Sequence, residues 1–113
     1  MNEIENELEE IGNVYIKNFR GELSFEDLNL FMRVLSLPFK IIMSDINELT
    51  IFTLEKIWED SDIYKGYILQ NTMDYLELAG LVSKVSKYFA DKNIPILYTT
   101  SYNNDYIFIK NVL

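Results

Sequence analysis

Apolar positions along this chain switch twice between a two-residue period and a period of roughly 3.6 residues, in the same order both times. The first series begins with an acidic segment whose Ile4, Leu8 and Ile11 fall at helical spacing. Val14-Tyr15-Ile16 then reads as a short strand of β-formers, and Arg20-Gly21 as a turn. Ser24 and Asp27 form a capping pair, with Leu23 and Leu28 at the flanking staple positions. A helix is predicted over 25–35, with Leu28, Phe31, Met32 and Leu35 on one face. Pro38 halts helical continuation. A strand over 39–44, the loop Asp45-Ile46-Asn47-Glu48 and a strand over 49–54 complete a hairpin.

The second series follows a connector over 55–62, where Glu55, Glu59, Asp60 and Asp62 surround Trp58. Residues 64–70 read as a strand, and Asp74 with Glu77 as a second capping pair. The helix through about Asp91 sets Leu78, Leu81, Val82, Val85 and Phe89 on one face and Glu77, Lys84, Lys87 and Asp91 on the other. Asn93 suits a left-handed helix end, and Pro95 blocks extension. Strands over 96–100 and 106–110 enclose the loop Tyr102-Asn103-Asn104-Asp105. At a constant offset of 57 residues Pro38 meets Pro95, Ser44 meets Ser101, Asn47 meets Asn104 and Glu48 meets Asp105. The chain therefore reads as a duplication, with halves at 1–60 and 61–113. Two β-α-β-β halves, each helix carrying one apolar stripe, predict an α+β fold of ferredoxin-like halves whose antiparallel sheet is covered by helices.

Gly80-Leu81-Val82, then Lys92-Asn93-Ile94-Pro95-Ile96, then Thr100-Ser101-Tyr102-Asn103-Asn104-Asp105-Tyr106-Ile107-Phe108-Ile109 carry a family likeness, with Ile42 to Ile51 as a weaker companion hairpin. This pattern resembles the tandem ACT-domain proteins, similar to the CASTOR-type cytosolic arginine sensors and to small bacterial ACT proteins. The resemblance covers roughly residues 13–110. It implies two ACT-like halves with an amino-acid ligand held at the interface between ACT units. Carried over position by position, Leu78, Ala79, Gly80, Leu81 and Val82 match the helix-opening segment whose backbone receives the ligand, and Ser101, Tyr102 and Asp105 match the loop that grips its polar groups. The family's closing helix has no counterpart here, and the acidic N-terminal segment is the candidate to replace it.

A free amino acid suits such residues chemically. Backbone N–H groups at a helix start favour a carboxylate, and Asp105 would accept from an ammonium. Gly80 would permit close approach of a ligand. Each position also has a plain architectural reading: Gly80 as a helix-packing glycine, Asp105 as a turn residue bonding its own backbone, Ser44 and Ser101 as strand ends, and Glu48 as a solvated loop acid.

Composition narrows the classes. With 113 residues, 49% hydrophobic and 14% aromatic, the chain has material for a core, although one small enough that self-association would help it. It has no cysteine and no histidine, which removes disulfides, Cys/His metal sites and the commonest general base. Asp45 to Glu48 resembles a calcium-loop fragment but lacks its glycine and distant bidentate Glu. No cofactor and no enzymatic activity are expected. A net charge of −8 argues against nucleic acid and anionic membranes, and no apolar run is long enough to span a bilayer. The expectation is a cytoplasmic regulatory module binding an amino acid or similar small ligand, acting as a homodimer or on a regulated protein partner. The alternative is a ligand-free protein-interaction or dimerisation scaffold.

Overall fold

Leu8 decides where the first strand begins. The computed structural model describes residues 8–69, 75–101 and 103–110, and Leu8 packs there against a cluster of Leu69, Val85, Phe89 and Ile107. That burial draws the described part of the acidic segment into β1 (Leu8–Phe19) rather than a helix, and the strand is 12 residues long. Ile4 and the rest of residues 1–7 lie outside the described residues, and the described part of the segment assigned to replace a closing helix is strand. Gly12 sits within the strand at φ 104°, a conformation that L side chains rarely adopt.

The remaining elements are α1 (Phe25–Leu35), β2 (Lys40–Ser44), β3 (Leu49–Thr53), β4 (Asp62–Leu69), α2 (Tyr75–Asp91), β5 (Ile96–Thr100) and β6 (Asp105–Lys110). The ferredoxin-like expectation of two ACT-like halves is overturned by the sheet. All six strands join one sheet in the order β2-β3-β1-β4-β6-β5. A ferredoxin-like half would need a four-stranded sheet and two helices of its own. Here β1 and β4 stand side by side at the centre, so the sheet runs on where each half would need its fourth strand, and there is one helix to each hairpin. The chain also divides into two compact units, one holding the described residues of Met1–Gly12 and Lys65–Leu113, the other Asn13–Tyr64.

In the Asn13–Tyr64 unit, β3 pairs antiparallel with β1 on one edge and β2 on the other. Ile51 stands opposite both Lys17 and Ile42, and with Val34 and Trp58 it forms the core under α1, joined by Phe19, Leu30, Phe31 and Leu49. Strand alternation turns Ile16 and Phe52 to the other face, where both are also buried. The α1 capping box is present as predicted: the Ser24 hydroxyl accepts from the Asp27 N–H at 3.0 Å and the Asp27 carboxylate from the Ser24 N–H at 3.3 Å.

The orientation of α1 differs from the predicted face. Phe31 points inward with Val34 and Leu30, while Leu28, Met32 and Leu35 face solvent. Trp58 supplies the reason. Its ring is buried edge-on against Phe19, centroids 5.3 Å apart, and its indole N–H donates to Asp27 Oδ1 at 3.1 Å. A buried indole N–H requires a partner, and meeting it turns the Asp27 side of the helix toward the sheet. The Ser24 hydroxyl foremost, then Trp58, the Ser24 N–H and the Lys17 charge, hold the Asp27 carboxyl below its ordinary range against an opposing effect of burial.

In the other unit, Val82, Val85 and Phe89 face inward from α2, as their spacing predicts, and with Tyr88, which the predicted face did not include, they meet Ile107, Ile94, Ile96 and Ile109. The helix closes with Asn93 at φ 57°, the Asn93 N–H bonding the Ala90 carbonyl at 3.0 Å and the Ile94 N–H bonding the Phe89 carbonyl at 2.9 Å. This pair of bonds is a Schellman end with its apolar contact supplied by Ile94. Among the described residues no helix is long and apolar enough to cross a membrane.

Two glycines with open space around them separate backbone from packing effects. Gly12→Ala is expected to destabilise by about 1–2 kcal/mol because of its positive φ. Gly80→Ala, in an exposed helix interior, is expected to stabilise by about 0.5–1 kcal/mol. Urea denaturation of both variants checks the signs. Because the folded state holds Asp27 ionised more readily than the unfolded chain does, its contribution is complete above about pH 4 and is lost as pH falls through the lowered folded value. Asp27→Asn should therefore lower the melting temperature at pH 7 and flatten the acid limb of the melting profile; an acid limb equal to wild type would disprove that contribution.

Candidate functional site

The register of β1 against β3 ends on the pair Phe19 and Leu49. One residue farther along each strand, antiparallel pairing sets Arg20 opposite Glu48, two residues separated by 28 positions in sequence. Around them the end of β1, the turn after it and the β2–β3 loop enclose a cleft of about 360 Å³. Phe19, Leu23, Ile46 and Leu49 provide its apolar wall, and Arg20, Glu22, Asp45 and Glu48 its charges.

The loop is held open by its own hydrogen bonds. Asp45 Oδ1 accepts from the N–H groups of Asn47 at 2.7 Å and Glu48 at 2.9 Å, and the Asp45 N–H reaches the Glu48 carbonyl at 3.0 Å. Asp45 is thus the turn-forming acid, which leaves Glu22 and Glu48 as the other carboxylates lining the cleft. Asn18, on β1, donates to Glu48 Oε2 at 3.3 Å and to Thr50 Oγ1 at 2.7 Å. Arg20 approaches Glu48 Oε2 only to 3.8 Å, with 81% of its side chain exposed against 37% for Glu48. An ion pair so long and so wet contributes little to stability. Its two charges are available to a guest that brings a better-matched partner for each.

The positions carried over from the family likeness lie in the other unit. Leu78, Ala79, Gly80, Leu81 and Val82 fall within α2, which is already helical from Tyr75, so their N–H groups belong to the second turn and beyond, where the helical ladder uses them. Gly80 is exposed, with nothing within 4 Å of where a Cβ would stand, so close packing among the described residues does not explain it. Val82 packs against the core. Ser101 and Asp105 share one hairpin. Ser101 Oγ bonds the carbonyl and N–H of Asn104, each at 3.2 Å, and Asp105 is buried opposite Thr100 at the start of β6. Burial first, then the hydrogen bond and charge of Asp105, raise the Tyr98 phenol above its usual value. Tyr102 lies outside the described residues, as do residues 70–74, which cover Asp74 and the start predicted for the second helix.

Sequence reasoning treated Arg20 as part of a turn and Glu48 as a loop acid. The internal repeat did carry a signal, since the 57-residue offset superposes Glu48 on Asp105. What it lacked was the cation, because Arg20 joins Glu48 only through strand register.

No protein-family model matches the chain. No curated protein matches it either. The fold does have solved relatives. A Vibrio cholerae protein of unknown function, described as a possible transport protein, superposes with a TM-score of 0.62 at 17% identity, over 92% of this chain and 77% of its own. An Agrobacterium tumefaciens protein gives a TM-score of 0.61 at 16% identity, over 88% of this chain and 72% of its own. At such identities the likeness is one of fold alone.

If Asp45 shapes the cleft, Asp45→Ala should lower stability by about 1–2 kcal/mol through loss of its two N–H bonds. Asp45→Asn, which keeps an acceptor oxygen, should recover most of that loss in the same thermal melts.

Proposed function

We propose that the chain is a small-molecule-binding regulatory module whose ligand is a free amino acid seated in the cleft at the end of β1. The observation that carries this reading is the pairing of Arg20 with Glu48 in a cleft of about 360 Å³ with an apolar wall, whose lining also holds Glu22 and the turn-forming Asp45. A zwitterion presents the complementary pair. Its carboxylate meets the planar guanidinium, its ammonium meets Glu48, and both contacts are charge-assisted. The side chain is left against Phe19, Leu23 and Leu49, so apolar amino acids fit better than acidic ones. The volume lies at the lower end of the range for small-ligand pockets. Regulation would follow from unequal affinity for two states of the module or its partner. A cytoplasmic setting belongs to the same proposal, since a chain without cysteine gains nothing from an oxidising compartment.

The test is a thermal-shift screen of the twenty amino acids against the full chain and two variants. A ligand at about 100 times its dissociation constant stabilises by roughly 2.7 kcal/mol. An apolar amino acid should raise the wild-type melting temperature and fail to raise that of Arg20→Ala or Glu48→Ala, whose melting temperatures without ligand stay within about a degree of wild type because the ion pair is exposed. A shift retained in both variants would locate the ligand elsewhere. No shift with any amino acid would leave the scaffold reading in possession.

A further inference from the structure

Asn18 stands outside the lining of the cleft, yet it holds one of the charges inside it. Asparagine is disfavoured in strands, but Asn18 lies next to the last residue of β1, directly opposite Thr50 of β3. Its side-chain amide donates twice across the strand pair, to Thr50 Oγ1 at 2.7 Å and to Glu48 Oε2 at 3.3 Å. A carboxylate only accepts, so Nδ2 and not Oδ1 must face Glu48, which fixes the orientation of the amide. Glu48 and Thr50 are two positions apart, hence on one side of the extended chain, and one amide reaches both. From this geometry, and resting on the amino-acid reading of the cleft, we infer that Asn18 is the positioning residue of the site. It holds Glu48 by one oxygen so that the other is presented to the ligand's ammonium.

Both contacts from this side of the cleft end on the same oxygen, Glu48 Oε2: Asn18 at 3.3 Å and Arg20 at 3.8 Å. Among the described residues Oε1 accepts no hydrogen bond, and it is the oxygen left for a guest. Arg20 cannot hold Glu48 once the cleft is loaded, because its side chain is 81% exposed and its guanidinium is the partner of the ligand's carboxylate. Asn18 has no charge to exchange with the guest and keeps its hold. Of the other acids in the lining, Asp45 is committed to its turn, and Glu22 has no hydrogen bond or ion pair among the described residues to fix it. A carboxylate already in place spares the ligand the cost of ordering it, which is how a residue out of contact with the ligand raises affinity.

The test is calorimetric titration of the full chain with L-leucine and with isoamylamine, its decarboxylated analogue. Asn18 is exposed, so Asn18→Ala should keep the wild-type circular dichroism. It should weaken L-leucine by about three- to tenfold and isoamylamine by the same factor, because both carry the ammonium. Arg20→Ala should weaken L-leucine and not isoamylamine. In a Glu48→Ala background, Asn18→Ala should change neither affinity further, as a residue acting through another must. Thr50→Val keeps the side-chain shape and removes the amide's other acceptor, and should give a smaller loss in the same direction. An ordinary cross-strand pair would stabilise β1 against β3 and leave binding unchanged. Wild-type affinity for both probes in Asn18→Ala, or the same loss with Glu48 already removed, would overturn the inference and leave the amino-acid site standing. A wild-type chain that binds neither L-leucine nor any other apolar amino acid would overturn both.

Discussion

The double pairing of β3 is the constraint on which the Asn13–Tyr64 unit depends. Hydrogen-bonded to β1 on one edge and β2 on the other, this five-residue strand sets what stands beside what. Its alternation sends Ile51 beneath α1 and Phe52 to the opposite face, both buried. A slip of one residue would exchange those faces and force Phe52 into the space that Ile51 fills beneath α1. The same register carries Arg20 past the end of the ladder to a place opposite Glu48. Core and cleft therefore share one determinant, and neither can shift without the other.

Trp58 sets the second constraint. Its indole N–H is satisfied by Asp27, whose carboxylate also closes the capping box with Ser24. The helix cap and the core are thus one network, in which the carboxylate favoured at a helix N-terminus is also the acceptor that a buried indole needs. The angular position of α1 follows, and so does the exposure of Phe25, Leu28, Met32 and Leu35. A helix with apolar residues on two faces has one face more than its own unit can cover.

The two hairpins show how similar sequences reach different uses. At corresponding positions Glu48 is half exposed and faces Arg20, whereas Asp105 is buried and bonded to Tyr98. Ser101 bonds within its own turn, while in the first loop Asp45 takes the turn-forming role and leaves Glu48 to the cleft. A duplication in sequence is consequently compatible with one cleft-lining loop and one structural loop.

Local chemistry was enough to read most elements from the residues. The Ser24–Asp27 cap, the stop at Pro38, the left-handed end at Asn93 and the alternation through residues 96–100 act within a few positions of themselves, so α1, β2, β3, β5, β6 and the end of α2 were legible. Three things were not, each for a non-local reason. Leu8 reads as helical until its packing partners Leu69 and Val85 are in place. The face that α1 buries depends on an indole 31 positions away from its acceptor. The single six-stranded sheet, and with it the failure of the ferredoxin-like expectation, rests on β1 and β4 standing as neighbours at its centre. The cleft belongs to the same class: charge and composition named its residue types, but only strand register, a property of paired chains and not of either alone, put the arginine and the glutamate together.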